Sequence, residues 1–160
     1  MRSRRTARRL ALDVLYEAEI RGVLPSEAFE MRQTQGWVVP TPDDQAPLDE
    51  AEGLVPPAED APDEQALSYA LELVDGVQAH HADIDALIVA YADRWAIARM
   101  PLIDRNLVRM AVFELMWGED IPVAVAINEA VELAKELSTD DSGRFVNGLL
   151  GRIAETEPQS

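Results

Sequence analysis

The chain has 160 residues, no cysteine, 14 basic and 30 acidic residues, and a formal net charge of −16. That length supports one domain with a substantial core, and the lack of cysteine excludes disulfides and thiolate metal sites, in keeping with a reducing compartment. No stretch approaches the roughly 20 apolar residues that cross a bilayer, and the basic start runs into Asp13, Glu17 and Glu19 rather than an apolar signal core, so the expectation is a soluble cytoplasmic protein.

The first predicted helix, about Arg4 to Arg21, sets Ala7, Ala11, Val14, Leu15 and Ala18 on one face and stops at Gly22. A short helix follows from Pro25 to about Arg32. The segment 35–65 then holds nine acidic residues, six of the ten prolines and no basic residue. Such a composition buries too little apolar surface to offset the entropy of ordering, so it reads as a disordered acidic insertion. Helices near Asp63 to His80 and Asp83 to Tyr91 come next. Pro101 opens a fifth helix that is apolar almost all round and ends at Gly118, which marks it as central. Pro122 opens a sixth, with Ile127, Ala130, Ala134 and Leu137 inward. The STDDS stretch caps a seventh with Val146, Leu149, Leu150 and Ile153 inward. The fold class is all-α with seven helices, and no internal repeat of fixed period is present.

Six of the fourteen basic residues (Arg2, Arg4, Arg5, Arg8, Arg9, Arg21) lie in the first 21 positions of an otherwise acidic chain. Such a cluster repels itself unless an anion neutralises it, and phosphate is the usual candidate. On a helical projection Arg5 and Arg9 lie opposite the apolar face with Arg8 between them; a solvated terminus is the equal alternative. Leu12 and Tyr16, four apart, fall among the polar positions, which leaves them for a partner protein or for another helix of the same chain. Phe145 at the edge of the last helix beside Arg152, and Tyr91 one turn from Arg94, have the form of base-stacking residues near arginines, although most such aromatics are core. His80 and His81 point about 100° apart on a helix and do not converge on a metal. Asp83 and Asp85 read as caps. No phosphate-cradling glycine loop and no nucleophile and base pair are present, so no metal, cofactor or catalytic role is expected.

ARRLALDVLYEAEIRG (7–22), PVAVAINEAVELAKELS (122–138) and DSGRFVNGLLGRI (141–153) together resemble the NusB family of bacterial transcription antitermination proteins. The resemblance covers most of the chain outside the acidic segment. It implies a NusB-like fold of two small helical bundles packed together, with residues 1–160 as a single RNA-binding domain, and no catalysis. It further implies binding of boxA, a single-stranded RNA element of nascent ribosomal RNA transcripts, together with ribosomal protein S10, also called NusE. That complex joins the RNA polymerase elongation complex with other Nus factors. By resemblance the RNA surface would include Arg4, Arg5, Arg8, Tyr91, Arg94, Asp141, Arg144 and Phe145, and Tyr16 and Asp104 would face NusE, alongside Leu12 from the helical projection. The family includes monomers and homodimers. Two other readings stand beside this one: a ribosomal RNA recognition domain serving a methyltransferase, and a protein interaction module without boxA specificity.

Overall fold

A computed structural model describes residues 2–36, 63–92, 97–118 and 121–157. Within them lie seven α-helices: α1 Arg2–Arg21, α2 Pro25–Gln35, α3 Glu64–Ala79, α4 His81–Tyr91, α5 Leu102–Trp117, α6 Val123–Leu137 and α7 Asp140–Thr156, with a 3-10 turn at Ile97–Arg99 before α5. Most of the acidic segment lies outside the described residues; its ends, Gln35 and Glu64–Gln65, are helical.

The boundaries follow local chemistry. Gly22 takes a left-handed φ of 70° just past α1, a conformation that costs other residues a steric clash, and Val23 N–H donates back to the Ala18 carbonyl at 3.1 Å. Asp63 caps α3 by accepting from Ala66 N–H at 2.7 Å, and Thr139 caps α7 by accepting from Ser142 N–H at 3.0 Å, each satisfying an otherwise orphaned donor. Pro25, Pro101 and Pro122 stand at or just before the starts of α2, α5 and α6. One expectation is corrected: α4 begins at His81 without a side-chain cap, and Asp85 instead receives Arg109 through two hydrogen bonds of 2.9 and 3.1 Å.

Helices α1 to α3 pack together as one group and α4 to α7 as the other, with α5 touching α1, α3, α4, α6 and α7. Accordingly Asp104 and every residue from Asn106 to Leu115 are buried. The sequence-predicted apolar faces of α1 and α7 are all buried, from Ala7 to Ala18 and from Val146 to Ile153. The predicted inward face of α6 holds in part, since Ala130 and Ala134 are buried while Ile127 and Leu137 are half-buried. Close approach of α3 to α5 depends on Gly76, where a Cβ would overlap the Phe113 ring.

Candidate nucleic-acid interface

The arginines of α1 do not form one free basic face. Arg5 is exposed, with its guanidinium clamped on Glu129 of α6: Nε donates to Oε1 at 3.0 Å and Nη2 to Oε2 at 2.8 Å. This hydrogen bond and the carboxylate charge raise the Arg5 pKa, and the same hydrogen bond lowers that of Glu129. Arg9 reaches Glu136, two turns further along α6, at 3.2 Å. Arg4 lies over the Tyr69 ring, 5.1 Å from its centre, a cation–π contact.

Arg8 corrects the sequence reading. Its residue is only 3% exposed, and its Nε donates to both oxygens of Glu114 on α5 at 3.0 and 3.1 Å. The Tyr69 hydroxyl donates to the same carboxylate, so α1, α3 and α5 are joined by one buried polar cluster. Burial opposes the charge on Arg8, but the hydrogen bond and charge of Glu114 outweigh it and hold its pKa up. A group so enclosed is a structural ion pair rather than a phosphate ligand. The helical projection failed because it assumed one buried stripe, whereas α2, α3 and α5 all pack on α1.

The same crowding corrects Leu12, which is 3% exposed and belongs to the core. Tyr16, one turn on, is half-buried and remains on the α1 surface. Asp104 is also corrected, because it is completely buried and offers no surface to a partner. Its Oδ2 accepts from Ser142 Oγ at 2.7 Å, and its Oδ1 has no hydrogen-bond partner among the described residues. Asp104 thereby ties the start of α5 to the first turns of α7, where three of the sequence-predicted RNA residues sit.

Those three are Asp141 and Arg144, exposed and paired with each other, and Phe145, half-buried beside them. Tyr91 comes to the opposite end of the same helix. Its hydroxyl donates to Glu157 at 2.6 Å, which raises its pKa, and its carbonyl accepts from Arg152 at 2.9 Å. Phe145 and Arg152, seven residues apart, share a face of α7, so the structure sets Tyr91 and Phe145 along one helix. Arg94 lies outside the described residues. Glu129 and Glu136 were not among the predicted site residues, although the acidic spacing of INEAVELAKE was an available signal; Arg152 entered only as the arginine beside Phe145.

Among the described residues no group of three or more histidine, aspartate or glutamate side chains is placed to hold a metal, and no helix is long and apolar enough to cross a membrane.

Comparison with known proteins settles the lineage of this helical arrangement. The model of the NusB family matches residues 5–155. The chain belongs to the NusB family. It is 47% identical to the transcription antitermination protein NusB of Salinispora tropica over 97% of both chains. It is 43% identical to that of Thermobifida fusca, over 98% of this chain and 92% of the relative. Among solved structures, T. maritima NusB superposes with a TM-score of 0.70 at 30% identity, covering 96% of this chain and 92% of that one. A chain from a crystal structure of the antitermination factors NusB and NusE in complex with double-stranded RNA does so with a TM-score of 0.72 at 27% identity, covering 98% of this chain and 99% of its own. The two-group packing around α5 is therefore the NusB fold.

Proposed function

We propose that this NusB-family chain is a cytoplasmic, non-enzymatic transcription antitermination factor. It binds the boxA single strand of nascent ribosomal RNA together with ribosomal protein S10 (NusE), and it joins the RNA polymerase elongation complex with other Nus factors. The observation that carries this reading is 47% identity over 97% of both chains to a transcription antitermination protein. The likeness to a NusB structure solved with NusE and RNA supports it further.

In this reading Arg4, Arg5 and Arg144 supply phosphate contacts, and Phe145 and Tyr91 offer flat faces for unpaired bases. Arg94 is a further candidate by resemblance. Asp141 sets the Arg144 guanidinium through their ion pair. Arg8 and Asp104 act from within, holding α1 and α7 in place, and Tyr16 marks the NusE side.

The test is binding of the purified chain to boxA RNA, a scrambled single strand and an RNA duplex, each with and without NusE at near-physiological salt. Preference for boxA that tightens with NusE is the expected result, with Tyr16→Ala lowering the gain from NusE. Equal affinity for boxA and scrambled strands, unimproved by NusE, overturns the boxA reading and leaves a protein interaction module. Sedimentation of the free protein in the same buffer reports whether a homodimer forms.

A further inference from the structure

We propose that Glu129 and Glu136 are specificity-determining residues of the RNA face: their carboxylates occupy Arg5 and Arg9 as internal phosphate mimics, so that phosphate contacts alone do not retain a strand. The inference rests on the RNA-binding reading above and concerns residues that reading leaves unused.

Three features of the geometry support it. Glu129 meets the Arg5 guanidinium through two parallel hydrogen bonds of 3.0 and 2.8 Å, the same two-donor fork that arginine presents to a phosphate. The Arg5 side chain is 67% exposed, so the Arg5–Glu129 pair stands open to a competing anion, whereas the Arg8–Glu114 pair is sealed; in the second pair Glu136 is 47% exposed and Arg9 11%, so an anion reaches Arg9 only from the side that Glu136 covers. Glu129 is further anchored by Arg8, whose Nη1 lies 3.7 Å away. When a phosphate takes Arg5, Glu129 therefore stays close behind it, left only with Arg8, whose charge Glu114 already balances.

The physical consequence is a weakened sequence-independent affinity. A strand bound only through its backbone draws its affinity from neutralised phosphates and the cations they release. Here each phosphate that reaches Arg5 or Arg9 frees a carboxylate, which takes up a cation in turn and cancels part of that release. Retention then needs base contacts or a second protein. Gln at either position keeps the shape and a carbonyl acceptor but removes the competing charge.

The experiment compares wild type with Glu129→Gln, Glu136→Gln and the double variant. The probes are a scrambled single-stranded RNA of boxA length, alone, and boxA RNA with NusE, each across a salt series. The double variant should bind the scrambled strand at low salt more tightly, by up to about fivefold per removed carboxylate. Its slope of log affinity against log salt should steepen by up to about 1.4, since a fully recovered phosphate contact on a single strand is worth about 0.7. In an Arg5→Ala/Arg9→Ala background the same glutamine substitutions should change neither quantity. Glu136→Gln, beside the less exposed Arg9, should give the smaller share of the slope change in the same direction, which keeps the test decisive if Glu129→Gln perturbs folding. Unchanged affinity and slope in a folded double variant, or an increase that persists without Arg5 and Arg9, overturns the inference. Wild-type protein that fails to prefer boxA with NusE overturns the functional reading instead, and the scrambled-strand series still reports on the two glutamates.

Discussion

Ser142 Oγ donates a 2.7 Å hydrogen bond to Oδ2 of the fully buried Asp104, fastening the first turns of α7 to the start of α5. Ser142 is itself placed by the cap it completes, since its amide donates to Thr139 Oγ1 at 3.0 Å. The exposed Asp141 and Arg144 and the half-buried Phe145 flank this anchor. A carboxylate that the resemblance assigns to a protein interface is thus an internal strut beneath the candidate RNA surface.

Ser142→Ala should lower stability by about 2 kcal/mol, because it leaves a buried carboxylate without its donor. A cycle with Asp104→Ala, read by urea unfolding, should give a coupling energy of about 1.5–3 kcal/mol. Coupling near zero would show that the two residues contribute independently.

The buried Arg8–Glu114 pair should be costly to break from either side. Arg8→Ala and Glu114→Gln are each expected to destabilise the fold by about 3–5 kcal/mol, since either takes from an enclosed charge its main partner. Arg5→Ala, at an exposed position, should leave the melting temperature close to wild type. Thermal melts of the three variants check this contrast. A mild effect of Arg8→Ala would mean that Glu114 is rehydrated easily and that the cluster is looser than its geometry.

Tyr69 gives the fold a dependence on alkaline pH. Burial, reinforced by the Glu114 charge and hydrogen bond, raises the phenol well above its ordinary value. A group whose folded pKa is raised stabilises fully below its unfolded pKa, about 10 for tyrosine, and loses that contribution as pH climbs towards the folded value. The stability difference between wild type and Tyr69→Phe should therefore be constant up to about pH 9. Above about pH 10 it should shrink by about 1.4 kcal/mol per pH unit. Urea unfolding of both proteins at about pH 8 and 11 measures it, and a pH-independent difference would contradict the assigned burial.

Local patterns in the sequence carried the helices and most of the core, because capping, proline placement and a 3.6-residue period act over a few neighbours. The starts of α2, α5, α6 and α7 at Pro25, Pro101, Pro122 and the STDDS cap, and the central place of α5, were all legible in this way. The partners of the arginines were not. Arg8 is sealed by Glu114, 106 residues away, and Arg5 is clamped by Glu129, 124 residues away; no local period encodes which carboxylate meets which guanidinium. Leu12 was misplaced for the same reason, since its burial depends on how many helices surround α1, whereas Asp104 was placed by resemblance although its helix already read as central.

Gly76 offers a sharp test of the packing between the two helical groups. In an isolated helix Gly→Ala is favourable by about 1 kcal/mol, but a Cβ at this position would overlap the end of the Phe113 ring. The ring is not free to swing aside, because it lies in a run of stacked rings, 6.1 Å from His80 and 6.3 Å from Trp117, with His80 and Trp117 themselves 4.1 Å apart. Overpacking should therefore win over helix propensity, and Gly76→Ala should destabilise by about 1–3 kcal/mol. Adding Phe113→Leu should cost less in the Gly76→Ala background than in wild type, because the smaller side chain relieves the clash that Ala creates. Urea unfolding of the two single variants and the double variant decides the matter: additive losses would mean that α3 and α5 move apart to admit the methyl group, and that the close approach at Gly76 does not constrain the fold.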